Sequence, residues 1–131
     1  MNETNGHVLI VDDNKVNRLL MSRSVELLGH RASVAENGQI AMQMLDRGSF
    51  DVLLLDIEMP EMDGYTFTTE VRKDPRLSEL HILLHTSLSG VFNRAMVEKV
   101  GANDFIAKFQ PDELAKTVLE RLKHWRSARA A

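Results

Sequence analysis

Short apolar runs recur along the chain, and each is too short to form a stable helix alone. They cover residues 7–11, 32–35, 52–55, 82–84 and 105–107. Strands that are covered on both faces of a sheet have this near-continuous apolar character, whereas half-exposed strands alternate. The pattern therefore predicts five buried strands.

Longer amphipathic stretches separate these runs. The first has Lys15, Arg18 and Glu26 at polar positions, and its apolar side is predicted to contain Val16, Leu19, Leu20, Leu27 and Leu28. An apolar stripe of this kind is typical of a helix that packs on a core. The last such helix is predicted to begin near Pro111 and to end at about Trp125.

Turn residues support this division into strands and helices. Asn37-Gly38 indicates a turn before a helix, and three helical stretches are followed by a glycine, at Gly29, Gly48 and Gly101. A glycine in this place commonly caps a helix with positive φ. Strand and helix thus alternate five times, which predicts an α/β fold with a doubly wound parallel sheet of five strands and five helices.

Composition restricts the class of protein further. A chain of 131 residues with 44% hydrophobic residues is long enough for one domain, predicted over 7–125, with an N-terminal extension at 1–6 and a tail or linker remnant at 126–131. The net charge of −3 argues against nucleic-acid binding, and the absence of cysteine excludes disulfides and thiolate metal sites. The sequence has no pattern of a signal peptide or a membrane span.

Acidic residues follow two of the predicted strands. Asp12 and Asp13 come directly after the first strand, and Asp56 follows the third. Ligands of doubly wound sheets bind at the carboxyl ends of the strands, so these three carboxylates meet if the two strands are neighbours. Carboxylates this close repel one another and favour a bound cation, and oxygen ligands alone suit Mg2+. No other cofactor is expected.

A hydroxyl and an ammonium group follow the last two strands. The fourth strand ends at Thr86 and the fifth at Lys108, which would complete a site for a phosphoryl group. Each residue also has a simpler interpretation taken singly. The Asp12-Asp13 pair could cap a helix, Asp56 could be a solvated loop acid, Thr86 a strand former and Lys108 a surface charge.

Four motifs together resemble the receiver domains of two-component signalling, over nearly the whole chain. They are VDDN at 11–14, LLLDIEMPEMDG at 53–64, LHTS at 84–87 and GANDFIAKF at 101–109. The resemblance implies a flavodoxin-like sheet of order 2-1-3-4-5 and a cytoplasmic protein. It also implies direct Mg2+ binding by Asp13, Asp56 and the backbone carbonyl of Glu58, with Asp12 acting largely through water.

The same resemblance implies a function. Asp56 would accept a phosphoryl group from a phosphohistidine of a sensor kinase, assisted by Thr86 and Lys108. Thr86 and Phe105 would then switch a protein-binding face made by the fourth helix, the fifth strand and the fifth helix. The domain would catalyse only its own phosphorylation and slow dephosphorylation, so it is not expected to be an enzyme with an external substrate.

Within this family, LHTSLSG followed by AKFQPDEL resembles the receiver of the chemotaxis protein CheV, which adjoins a CheW-like coupling domain. A CheA-like kinase and a CheW-like domain or other protein are therefore the expected partners. The chain departs from the family in having Lys108-Phe109 where Lys-Pro is usual, and Phe105 where tyrosine is common. We expect a cis Lys108-Phe109 peptide, despite its cost, because Lys108 must turn back toward Asp56 while Phe109 enters the core.

Two other functions fit parts of the pattern. Asp56-Ile57-Glu58 resembles a degraded nucleophile motif of haloacid-dehalogenase phosphohydrolases, but that nucleophile follows the first strand and the chain is too short for a cap. A degenerate receiver that binds partners without phosphorylation is the second alternative, and the complete residue set argues against it. We interpret all five histidines as structural residues, namely His7, His30, His81, His85 and His124.

Overall fold

Five parallel strands form the sheet in the computed structural model, which describes residues 6–56, 64–86 and 94–107 together with 120 and 123. The strands are β1 (His7–Val11), β2 (Arg31–Ala35), β3 (Val52–Asp56), β4 (His81–Thr86) and β5 (Asp104–Ala107). Their order is β2-β1-β3-β4-β5, and every neighbouring pair is parallel. The α/β class and the parallel sheet are confirmed, and the strand order is the one that the resemblance implies.

Helices connect the strands on both sides of the sheet. They are α1 (Lys15–Leu27), α2 (Gly38–Arg47), α3 (Gly64–Arg72) and α4 (Arg94–Val100), with a short 3-10 helix at Pro75–Leu77. Residues 120 and 123 are helical, but the rest of the expected fifth helix lies outside the described residues, so that helix stays a prediction. Among the described helices none has the length and apolar character needed to cross a membrane.

Alternate residues of the central strands fill two cores. Leu9 and Leu53 pack with Phe67 of α3 on one face of the sheet. Ile10 and Leu54 pack with Met21 of α1 on the other. Each of these strand side chains is fully buried, because successive side chains of a strand point to opposite faces and both faces are covered by helices.

The apolar side predicted for α1 is wrong in part. Val16, Leu19 and Leu27 are 57%, 55% and 80% exposed, whereas Met21, Val25 and Leu28 are buried against the sheet. The buried set is spaced by four and three residues, which places it on one side of a helix. Leu27, the last residue of α1, lies about 100° around the helix axis from the C-cap Leu28, and it points to solvent while Leu28 packs on the core. The side of α1 that packs on the sheet is therefore the one that contains Met21 and Val25.

This packing predicts opposite results for two adjacent leucines. Leu28→Ala should lower the free energy of unfolding by about 2–4 kcal/mol, since it leaves a cavity in the core beneath α1. Leu27→Ala removes the same atoms from a side chain that is 80% exposed and should change stability by less than about 0.5 kcal/mol. Urea unfolding of both variants measures the difference. Equal losses would contradict the observed orientation of α1.

The helix caps agree with two of the three predicted glycine positions. Gly29 and Gly101 have φ of 86° and 88°, in the left-handed region that favours glycine. The expectation for Gly48 is wrong, because the chain leaves α2 in an extended conformation there, with φ −124° and ψ 175°. A Cβ on Gly48 would lie 3.2 Å from the Phe50 ring. Glycine suits this position because the ring leaves little space for a side chain.

Asn37 is the N-terminal cap of α2, which begins directly after it, where the Asn37-Gly38 pair predicts a turn before a helix. Its side-chain oxygen accepts a hydrogen bond of 2.8 Å from the Ile40 N–H, while Gly38 is the first residue of the helix. An N-terminal cap of this kind satisfies a backbone donor that has no partner within the helix.

His7 and His30 have structural contacts at the amino end of the sheet, as predicted. His7 Nε2 lies 2.7 Å from the Ser33 hydroxyl, and its ring stacks at a tilt on Phe50. The buried His30 accepts a hydrogen bond of 2.8 Å from the Gly6 N–H through Nδ1. His124 lies outside the described residues.

The environment of His7 predicts a pH dependence of folding. Burial and the nearby Arg31 lower the pKa of His7 from its ordinary value of 6.5, although Asp51 and a backbone contact oppose them. The unfolded chain therefore binds a proton more readily than the folded one, so stability falls as the pH drops through 6.5 toward the folded pKa. Urea unfolding at about pH 7.5 and about pH 5.5 should show this loss. The loss of stability at the lower pH should be smaller in His7→Asn than in the wild-type protein. An equal loss in the two proteins would exclude His7 as its cause.

Candidate functional site

Three carboxylates converge at the carboxyl ends of β1 and β3. Val11 and Leu55 are partners in the register of the two strands, so Asp12 and Asp56 follow side by side. One oxygen each of Asp12, Asp13 and Asp56 lies within 4.8 Å of the others. Asp12 is 0% and Asp56 2% exposed, and Asp13 is exposed. The predicted meeting of the three acids is therefore observed, and we call these residues the acid cluster.

Backbone and side-chain contacts hold Asp12 in place. The Asn14 N–H donates to Asp12 Oδ1 at 2.8 Å, and Arg18 Nη1 donates to the Asp12 carbonyl at 2.7 Å. Asn14, whose side chain accepts from the Asn17 N–H, is the N-terminal cap of α1. Asp12-Asp13 therefore does not cap that helix, and the simpler interpretation of the pair is wrong.

The acid cluster fits a divalent cation. Three carboxylate oxygens within 4.8 Å of one another leave room for one ion between them, and without an ion their charges repel. Oxygen donors suit hard cations, and Mg2+ in particular binds to one or two carboxylates and keeps several waters. Asp13 is exposed, so water can reach the acid cluster on that side.

The other predicted site residues are only partly described. Thr86 is the last residue of β4 and the register partner of Ala107, which immediately precedes Lys108. Phe105 lies in β5 opposite Leu84. Glu58, Lys108 and the Lys108-Phe109 peptide lie outside the described residues, so their predicted roles and the cis bond stay predictions.

His85 lies beside the acid cluster, although its sequence position was interpreted as structural. It is the register partner of Asp56 and is 1% exposed. Its Nδ1 lies 3.9 Å from Asp12 Oδ2. The feature that could have indicated this is a polar residue within the apolar run ILLHT, directly before Thr86.

Comparison with known proteins agrees with this geometry. Residues 8–119 match the profile of the response regulator receiver domain. The match covers most of the chain, which therefore belongs to this family and is a receiver domain of two-component signalling. Receiver domains are phosphorylated by histidine kinases and bind Mg2+ at an acidic pocket, and the acid cluster lies in the corresponding place.

The chain is similar to proteins of several kinds. The chemotaxis protein CheY4 of Vibrio cholerae is 30% identical, with a TM-score of 0.78 over 90% of this chain and 98% of that one. The sensor histidine kinase CheAY of Helicobacter pylori is 35% identical over 87% of this chain and 14% of its own length. The probable transcriptional regulator ycf27 of Cyanidium caldarium is 35% identical over 93% of this chain. The chain spans only 49% of that regulator.

Proposed function

We propose that Asp56 accepts a phosphoryl group from a phosphohistidine of a sensor kinase and that this reaction requires Mg2+. The observation that carries the proposal is the position of Asp56, which ends β3 inside the acid cluster. A carboxylate held among other acids becomes a usable nucleophile toward an anionic phosphoryl group when a cation offsets the charge.

The residues of the chain divide the chemistry as follows. An oxygen of Asp56 attacks phosphorus in line, and the bond from phosphorus to the donor nitrogen breaks, with its electron pair leaving on that nitrogen. Asp13 and Asp56 would hold the ion directly, together with the Glu58 carbonyl, and Asp12 would act largely through water, as the resemblance implies. Bound Mg2+ would neutralise charge on the transferring oxygens. Lys108 and Thr86 would pair with the phosphoryl oxygens from the ends of β5 and β4.

The new phosphate would be sensed at the end of β4. Its acceptor oxygens would recruit the Thr86 hydroxyl, and Phe105, one strand away, would rotate in response. Phe105 lies in β5, adjacent in the sheet to β4, and Val97 and Val100 of α4 pack in the same core as Leu84 of β4. The output face would therefore be made by α4, β5 and the fifth helix.

The signalling pathway that we propose is chemotaxis. Two relatives support it by name, CheY4 with nearly full coverage of both chains and CheAY with a matching region in a histidine kinase. A CheA-like kinase would be the donor, the domain would work in the cytoplasm, and a CheW-like domain or another protein would receive the signal, as in CheV. The domain would have no external substrate and would not act as an enzyme in that sense.

Intact-protein mass spectrometry tests the proposed reaction. The chain is incubated with acetyl phosphate in Mg2+ or in excess chelator, and released phosphate is followed in parallel. We expect one added phosphoryl group in Mg2+ and none in chelator, with slow phosphate release. Fast multiple turnover would favour a phosphohydrolase instead, and no labelling under any condition would favour a degenerate receiver.

The proposed output face has its own test. Backbone NMR spectra recorded with and without beryllofluoride, a phosphoryl mimic, should show shifts at Thr86, in α4 and at Phe105. Shifts confined to residues near Asp13 and Asp56 would contradict transmission of the signal to that face.

A further inference from the structure

We propose that His85 is a positioning residue for the Asp12 carboxylate and thereby sets the affinity of the acid cluster for Mg2+. The proposal rests on the proposed function, because it concerns the same site. It assigns a role to a residue that is not part of the acid cluster and that the sequence alone suggested was structural.

The register of the sheet places Asp12, Asp56 and His85 in one row across three strands. Asp56 and His85 are register partners in β3 and β4, and Asp12 follows β1 on the other side of β3. The contact between Nδ1 of His85 and Oδ2 of Asp12 therefore reaches across the strand that carries Asp56. Both side chains are 0% exposed, so neither charge nor dipole is screened by bulk water.

The two oxygens of Asp12 have different neighbours. Oδ1 accepts the Asn14 N–H at 2.8 Å, and Oδ2 faces the His85 ring at 3.9 Å. The second distance is longer than a hydrogen bond, so the ring acts through its charge distribution and by limiting rotation of the carboxylate. A carboxylate fixed in this way loses less conformational freedom when it binds an ion.

A purely structural role would not need an imidazole here. Ile82, Leu83 and Leu84 of β4 are buried apolar residues, and a leucine at position 85 would continue that run. Burying a polar ring costs free energy, and the nearby Asp12 carboxylate offsets part of that cost electrostatically. Groups that orient metal-binding side chains commonly change metal affinity by about 10–100-fold when they are removed.

Three substitutions separate positioning from packing. His85→Asn puts an amide nitrogen near the place of Nδ1, His85→Gln puts one near the place of Nε2, and His85→Leu fills the space without a polar group. Calorimetric titration with Mg2+ should give about tenfold weaker binding for Leu and Gln and nearly wild-type binding for Asn. Thermal unfolding of each apo variant shows whether the fold is kept, and a structural role would change stability without this order of affinities.

A double variant tests whether His85 acts through Asp12. In an Asp12→Asn background, His85→Leu should weaken Mg2+ binding no further. The reason is that His85 acts on Mg2+ binding through the Asp12 carboxylate, which this background already lacks. Wild-type affinity in His85→Leu, or equal loss in the Asn and Gln variants, would overturn the inference while leaving the proposed function intact. If His85→Leu does not fold, the Asn and Gln pair decides. Failure of the wild-type chain to bind Mg2+ would instead refute the proposed function.

Discussion

Asp56→Asn is expected to abolish incorporation of a phosphoryl group. The substitution keeps the size and shape of a buried side chain that ends β3, but an amide has no oxygen with the nucleophilicity of a carboxylate. Intact-protein mass spectrometry after incubation with acetyl phosphate and Mg2+ should therefore show the unmodified mass only, whereas the wild-type protein gains one phosphoryl group.

Asp51→Asn is the matched control for this experiment. Asp51 immediately precedes the same strand, at its other end, where Oδ2 accepts the His7 N–H at 2.9 Å. An asparagine oxygen can accept that hydrogen bond, so the fold and the labelling should both persist. Undiminished labelling of the Asp56→Asn protein would mean that another group is the acceptor.

Asp13→Ala is expected to weaken Mg2+ binding by more than about tenfold. Asp13 supplies one of the three oxygens of the acid cluster and is itself exposed, so its removal takes away a ligand without opening the core. Calorimetric titration with Mg2+ measures the loss. Asp12→Ala should weaken binding as well, but Asp12 is buried, so that variant also requires a stability measurement.

Glu36→Ala separates loss of a ligand from loss of charge. Glu36 is an exposed acid directly after β2, at the same edge of the sheet, but it is not one of the three clustered residues. Both substitutions remove one negative charge, so a general field effect would lower the affinity of both proteins alike. Mg2+ affinity that is unchanged in Asp13→Ala would exclude that residue as a ligand.

The acid cluster could be predicted from sequence because it depends on few physical facts. Once β1 and β3 are neighbours in a parallel sheet, residues that follow their last buried positions must meet at one edge. The apolar runs located all five strands to within two residues at each end, since strands buried on both faces have few polar positions. The positions of Asp12 and Asp56 then followed from counting along each strand.

Features that depend on packing between elements could not be predicted in the same way. The first helix has two apolar stripes, and only contact with the sheet selects the one through Met21 over the one through Leu19. Gly48 follows a helix like the other glycines, yet the backbone is extended there, and the Phe50 ring limits the space for a side chain. His85 was interpreted as structural because its proximity to Asp12 arises across two strand pairings.

Chemical mapping of the phosphorylated residue tests the central claim most directly. The wild-type chain is labelled with acetyl phosphate and Mg2+ and then treated with borohydride, which reduces an aspartyl phosphate to homoserine. The peptides are then analysed by tandem mass spectrometry. We expect homoserine at position 56 in the Mg2+ sample and its absence in a chelator-treated sample. Homoserine at another aspartate, or phosphate retained on a histidine, would contradict the assignment of Asp56 as the phosphoryl acceptor.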